Sequence, residues 1–241
     1  MHLSSRLLIK SYLENRMQVV KFKDDTSQHL PIDKGVPQGS IIGPLLFLIF
    51  INDLPSSLTS NCILYADDTT LINRLADGKS ASEVKEQTQS EAFNWFEENK
   101  LQVNVKKTVN LLFSLRKCET PSNFHESVKF LGLDIDSKLS WNTHGNTLAR
   151  KICKNIFLLR NLKDQIPVAS IRTAYFALCQ SHMTYGLLIW GHDTVRNRIF
   201  GLQRRAVRVI AGLNYREECK PYFITLKILT LPSSYIYVCL V

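Results

Sequence analysis

The sequence has no pair of cysteines at metal-site or redox spacing. Its six cysteines (Cys62, Cys118, Cys153, Cys179, Cys219 and Cys239) include no C-x-x-C pair, and no histidine lies at zinc-site spacing from them. That excludes a zinc ribbon and a disulfide framework and leaves ordinary intracellular thiols. No signal peptide opens the chain, because Met1 leads into a polar-flanked helical pattern. Long apolar runs are also missing. The longest, Ile41 to Ile51, carries Gly43 and Pro44 and is too short to span a bilayer. The expectation is a soluble intracellular protein of the cytoplasm and nucleus, neither secreted nor membrane-bound. Acid is scarce in the back half: Lys138 to Val241 holds 15 Lys and Arg against 4 Asp and Glu, a balance of +11. Met1 to Ser137 holds 15 against 17, a balance of −2. With 45% apolar residues the chain has enough for a core, which excludes wholesale disorder. Carboxylates in front and cations behind suggest an acid-bearing site beside a polyanion-binding surface, although a basic balance also serves solubility.

Periodicity divides the chain at the same place. Ser4 and Ser5 precede Leu7, Leu8, Tyr12 and Leu13, the pattern of a short opening helix. Met17 to Phe22 alternates like a strand, Asp24 to Ser27 turns, and Leu30 to Ile32 returns. Pro44 suits the first position of a helix through Leu54 that Pro55 ends. Ser80 and Glu83 form a capping-box pattern opening a helix to about Lys100, with Val84, Thr88, Ala92, Trp95, Phe96 and Asn99 on one face. Val109 to Phe113 and Val128 to Ile135 read as strands. After Asn142 the spacing is helical: Leu148, Ile152, Ile156 and Leu159 mark one helix, and Val168, Ile171, Tyr175 and Leu178 another. A third carries Ile199, Leu202, Ala206, Val209 and Ile210. Opposite that stripe lie Arg198, Arg204, Arg205 and Arg208, with no acid among them. Such a face is either solvated or bound to phosphate.

Two short motifs carry chemistry. Ile63 to Leu71 reads I-L-Y-A-D-D-T-T-L, two β-prone runs around Asp67 and Asp68. This spacing predicts a hairpin whose tip bears the acids. Convergent carboxylates suit a hard divalent cation such as magnesium; a solvated turn is the ordinary alternative. Lys34 to Ser40 reads K-G-V-P-Q-G-S, where glycines let backbone approach a ligand and the following helix offers free amides to an anion. A connector before a buried helix has the same composition.

Together these motifs resemble the reverse transcriptases of non-LTR (LINE-like) retrotransposons, most nearly the jockey-type elements. G-V-P-Q-G-S with P-L-L-F-x-x-x-I-N-D-L-P resembles the B motif of that family, and Tyr65-Ala66-Asp67-Asp68 its C motif. Trp95, Asn99, Leu101, Asn104, Lys107 and Thr108 resemble W-F-x-x-N-x-L-x-x-N-x-x-K-T. Phe130-Leu131-Gly132 through Trp141 resembles its primer-side strand, and Tyr185, Gly186, Trp190, Gly191 and Leu202 to Ala206 its downstream segment. The resemblance implies an α+β fold: a partial right-hand palm, small antiparallel sheet with packed helices, over residues 1–137, and a helical, basic, thumb-like region over 138–241. It implies RNA-directed DNA polymerase activity by two-metal nucleotidyl transfer, on an RNA template and DNA primer with deoxynucleoside triphosphates. Asp67 and Asp68 would hold two Mg²⁺ ions. Gln38, Gly39, Ser40 and Tyr65 would meet the incoming nucleotide and template. Lys107 would approach the triphosphate and serve as general acid, Leu131 and Gly132 would lie near the primer, and Arg198, Arg204, Arg205 and Arg208 would contact nucleic-acid backbone.

One element of the family pattern has no match. Another catalytic aspartate belongs upstream of the opening helix, and Glu14, Asp24, Asp25 and Asp33 do not sit in a strand resembling its motif. The chain is therefore expected to be a fragment, inactive alone, with uncovered palm surface that favours self-association. Asp134 and Asp136 share a strand face but belong to the primer-side strand and receive no catalytic role. A non-catalytic nucleic-acid-binding remnant, working through the back-half arginines, is the alternative. An interaction protein without nucleic acid is a third reading.

Overall fold

The computed structural model describes residues 3–32, 35–37, 39–75, 78–114 and 121–241, and the chain falls into two compact units, Met1–Val103 and Asn104–Val241. This division lies well before the composition shift at Lys138. The reason is local: the hairpin and loop between the two points pack with the helices that follow them, Leu133 joining the helical core.

In the first unit, helix α1 (Leu3–Leu13) buries none of its residues. Two short ladders follow. Strand β1 (Met17–Gln18) pairs with β4 (Leu30–Pro31), and β2 (Lys21–Phe22) with β3 (Asp25–Thr26). The reversal sits at Lys23-Asp24, with Lys23 at φ 55°, rather than over Asp24 to Ser27. Helix α2 (Ile42–Ile51) begins two residues before Pro44, so the proline occupies its first turn. Pro55 does not end that helix. It lies in the first turn of a separate helix, α3 (Leu54–Ser57), where a missing N–H is harmless. Strands β5 (Asn61–Tyr65) and β6 (Asp68–Ile72) form an antiparallel hairpin, and α4 (Ala81–Glu98) closes the unit. Ser80 and Glu83 make the reciprocal capping box, Ser80 Oγ accepting from Glu83 N and Glu83 Oε2 from Ser80 N. The core is small: Ile51, Leu54 and Trp95, flanked by Phe47, Leu58, Cys62, Leu64, Phe96 and Leu101. Helix α2 is apolar all round, yet Leu45, Leu48, Ile49 and Phe50 are exposed.

The second unit opens without the expected strand at Val109 to Phe113. Leu111 makes an isolated bridge to His125, and no ladder extends from it. Val128 to Ile135 is not one strand but a hairpin, β7 (Ser127–Phe130) with β8 (Leu133–Asp136). Beyond it the unit is helical, with α5 (Asn142–Leu162), α6 (Val168–Tyr175), a π-helical turn (Phe176–Gln180), α7 (Ser181–Thr184), α8 (Leu187–Trp190), α9 (Val195–Ala211), α10 (Lys220–Thr225) and α11 (Leu231–Leu240). Leu148, Ile152, Ile156 and Leu159 are all buried, as their spacing predicts. The second stripe shifts by one residue: Cys179, not Leu178, is fully buried after Tyr175, because the π turn adds a residue to the helix. Burial there pushes the Cys179 thiol up to about 12, so it remains protonated.

Helices α5 and α9 pack together, and Gly145 makes their approach possible. A Cβ at Gly145 would sit 2.3 Å from Val195 Cγ1. Gln203, within the Leu202 to Ala206 run, is fully buried on α9 and ties the unit together. Its Nε2 donates to Tyr175 Oη (3.0 Å), Leu229 O (2.9 Å) and Gln180 Oε1 (3.3 Å), and its Oε1 accepts from Leu231 N (2.7 Å). Gln203→Leu should cost about 3 kcal/mol or more, since several buried groups lose their partner. Gly145→Ala should cost about 1–3 kcal/mol through overpacking. Urea denaturation of each variant against the parent chain measures both losses.

His144 lies buried between Trp141 and Trp190, its Nε2 without a hydrogen-bond partner among the described residues and its Nδ1 3.4 Å from Asp134 N. Burial lowers its pKa from 6.5, against a smaller raising effect of the Asp134 carboxylate. The unfolded chain therefore binds this proton more readily than the fold does, and stability drains away as pH falls below about 6.5. His182, lowered by burial and by Lys151, acts in the same direction. Melting temperatures at about pH 7.5 and 5.5 should differ, and His144→Gln should shrink the difference.

Candidate functional site

The β5–β6 hairpin places the acid pair. Opposed residues share a face, so Cys62 with Leu71 and Leu64 with Thr69 lie on the half-buried side, Cys62 and Leu64 packing against the Ile51–Leu54–Trp95 core. Ile63, Tyr65 and Asp68 lie on the exposed side. Ala66 and Asp67 form the two-residue turn, since Tyr65 pairs with Asp68. Ala66 is held at φ 52°, a conformation usually left to glycine, asparagine or aspartate. Both carboxylates are exposed, and among the described residues neither accepts a hydrogen bond or meets a cation. Two free hard-oxygen donors on adjacent residues fit a divalent cation. Among the described residues no group of three or more His, Cys, Asp or Glu gathers to complete a cage.

The Gly-rich loop is built around Ser40. Its Oγ accepts from Gly43 N at 2.9 Å and from the Tyr12 hydroxyl, tying α1 to the start of α2. Both lone pairs are then in use, and its own proton remains free to donate. Gly39 stands at φ +79° with open space where a Cβ would be. Gln38 lies outside the described residues.

Much of the signature after α4 is a helix stop. Lys100 N donates to Glu97 O and Leu101 N to Phe96 O, with Lys100 at φ 57°: the paired bonds of a Schellman turn. Asn99 Nδ2 adds a bond to Trp95 O, and Leu101 folds back on the core beside Phe96. Lys107 belongs to the second unit, on a turn closed by Lys107 N and Thr108 N donating to Asn104 O, with its side chain exposed.

Leu131 and Gly132 are the two turn residues of the β7–β8 hairpin, at φ 44° and 84°. They interlock with a segment 54 residues later. Tyr185 Oη donates to Leu131 O, and a Cβ on Gly132 would meet the Tyr185 ring at 3.3 Å. A Cβ on Gly186 would in turn meet Leu133 at 2.9 Å. Asp136 ends the hairpin. Burial raises its pKa, but bonds from Ser140 N and Oγ and from Lys138 and Leu139 N outweigh that and hold it below the usual range. Its carboxylate is consumed by this turn.

The four arginines of α9 have different surroundings. Arg198 donates to Asn146 Oδ1 on α5, and Arg204 lies over the Phe200 ring at 5.1 Å. Arg205 and Arg208 instead line a hollow of about 380 Å³ with Arg160, Lys163, Val209, Leu213 and Tyr215. Arg160, Lys163 and Tyr215 were missed in the sequence, where only the spacing within one helix was visible.

The sequence matches the family described as reverse transcriptase (RNA-dependent DNA polymerase) over residues 1–135. The chain belongs to that family. It is 28% identical over 227 residues to the probable RNA-directed DNA polymerase from transposon X-element of Drosophila melanogaster, covering 86% of this chain and 25% of that protein. It is 29% identical over 231 residues to the corresponding protein from transposon BS (86% and 26%), and 27% over 232 residues to the RNA-directed DNA polymerase from mobile element jockey (86% and 25%), both of the same fly. The chain thus spans about a quarter of the length of the curated relatives it matches. No solved structure matches it. Among the described residues no helix is long and apolar enough to cross a membrane.

The interlock gives a direct test of whether the Leu131-Gly132 turn is set by Tyr185. Gly132→Ala adds a Cβ both at positive φ and against a ring, and should lower stability by about 1–3 kcal/mol. Tyr185→Phe removes one exposed hydrogen bond and should cost about 1 kcal/mol. If Gly132→Ala costs much less in a Tyr185→Ala background, the ring is the cause, and thermal denaturation of the double-mutant cycle measures it.

Proposed function

We propose that this chain is part of the catalytic domain of an RNA-directed DNA polymerase of a non-LTR retrotransposon, and that it supplies two of the carboxylates that hold its metal ions. The observation that carries the reading is the Tyr65-Ala66-Asp67-Asp68 hairpin, whose two acids are unengaged at the turn. On this reading residues 1–137 are the end of a polymerase palm and residues 138–241 a thumb-like region. Asp67 and Asp68 would hold two Mg²⁺ ions, which when bound activate a primer hydroxyl and neutralise a leaving pyrophosphate. Gly39 and the free Ser40 proton, with Gln38 and Tyr65, would position the incoming nucleotide against its template base. Lys107 would donate a proton to the leaving pyrophosphate. The rigid Leu131-Gly132 turn would support the primer strand, and the cations of α9 would hold nucleic-acid backbone. RNA template, DNA primer and deoxynucleoside triphosphates are the substrates this assigns. The exposed apolar side of α2 makes self-association of the isolated chain part of the same proposal.

Primer extension on an RNA template with magnesium tests the reading, in an active polymerase that contains this segment. Asp67→Asn and Asp68→Asn should each lower the rate by more than about 100-fold, because even partners one shell removed from a metal are worth 10–100-fold. Unimpaired extension by either variant would sink the assignment. Lys107→Ala should slow extension while leaving primer–template affinity unchanged.

A further inference from the structure

Four cations surround one hollow in the second unit: Arg160 and Lys163 at the end of α5, and Arg205 and Arg208 on α9. Among the described residues the side chains of Arg160, Lys163 and Arg205 have no hydrogen bond or ion pair. Arg208 has one: its Nε donates to Glu217 O at 2.9 Å, which anchors the guanidinium and leaves both terminal nitrogens unengaged. Glu217 Oε1 accepts from Asn214 Nδ2, and among the described residues neither Glu217 nor Glu218 forms an ion pair with these cations. Like charges gathered without a counter-ion repel one another, at a cost to the fold. Helix dipoles explain part of the arrangement, because cations are favoured at helix C-terminal ends by about 0.3–1 kcal/mol each. They do not explain why the cations of two helices line the same hollow.

The rest of the lining narrows the ligand. Helix α9 stops in a Schellman turn, with Gly212 at φ +71°, Gly212 N donating to Val209 O and Leu213 N to Arg208 O. That stop brings Leu213, with Val209, into the lining as its apolar part, and Tyr215 follows two residues on with 82% of its surface exposed. An exposed tyrosine beside unpaired guanidinium forks, over an apolar patch, matches the combination that holds a single strand: phosphates on cations and a base on an aromatic face. A duplex keeps its base faces stacked inside and leaves none for the tyrosine, and free polyphosphate has no base to stack.

We propose that this hollow is a binding site for single-stranded nucleic acid, with phosphates held by Arg160, Lys163, Arg205 and Arg208 and one unstacked base on Tyr215. The proposal rests on reading the chain as part of a nucleic-acid polymerase, but its site is remote in sequence from the acid pair and is tested separately. The experiment is fluorescence anisotropy of the full 241-residue chain with a labelled 12-nucleotide single strand and, separately, a 12-base-pair duplex. Tyr215→Ala should weaken single-strand binding by about 5- to 150-fold, the worth of one base–aromatic stack, and leave duplex binding unchanged. Tyr215→Phe should bind as the parent does. Arg160→Ala and Lys163→Ala should each reduce the slope of log affinity against log salt by about 1. Asp67→Asn should change none of these values, so a failed polymerase assignment leaves this result readable. Equal losses for single strand and duplex, no loss with Tyr215→Ala, or complete displacement of the strand by tripolyphosphate at equal phosphate concentration would each overturn the proposal.

Discussion

The second unit depends on one side chain, the amide of Gln203. Placing an amide in a dry core is costly unless every polar atom is answered, and here both ends are. The amide reaches Tyr175 at the end of α6, Gln180 in the π turn, and Leu229 and Leu231 where α11 begins, while Tyr175 Oη itself donates to Gln180 at 2.6 Å. Apolar packing alone tolerates small rotations of α9; this network does not. Since the amide fixes which side of α9 faces inward, it also fixes where Arg198, Arg204, Arg205 and Arg208 emerge.

Several residues that look like polymerase signature are spent on folding. Asn99, Lys100 and Leu101 stop α4 in a Schellman turn, and Trp95 anchors the small core of the first unit. Leu131, Gly132, Tyr185 and Gly186 lock a hairpin to a helical connection. Asp136 and Ser140 close a turn. What remains unspent stands out by contrast: Asp67, Asp68 and the Lys107 side chain have exposed functional groups and, among the described residues, no internal partner.

The sequence was most legible where a local rule and the tertiary environment agree. The capping box at Ser80 and Glu83, the stripe of α5 and the acid-tipped hairpin all follow from spacing within a few residues. The family could be read as well, because its motifs are co-linear over nearly the whole chain. What escaped depends on partners distant in sequence. Val109 to Phe113 has strand composition, but only Leu111 finds a neighbour, His125. Leu131 at positive φ makes sense only once Tyr185 is beside the turn, and nothing near Gln203 in the sequence points to the four distant groups that close on it. Pro55 was read as a stop, when its fixed φ serves equally to begin the next helix. The basic hollow was hidden for the same reason, since Arg160 and Arg205 lie on different helices.

The π turn at Phe176–Gln180 has a consequence for how this region tolerates change in length. It holds one residue more than an α-helix would over the same rise, and that surplus keeps Tyr175, Cys179 and Met183 all fully buried at intervals of four. A gene copy that lost a single codon here would still encode an uninterrupted helix, with better local hydrogen bonding than before. Everything beyond it would be turned by about 100° relative to α6. Gln180 would leave Gln203, and Tyr185 would leave the Leu131-Gly132 turn. The length of this segment is therefore as strict a requirement as the identity of the buried residues in it.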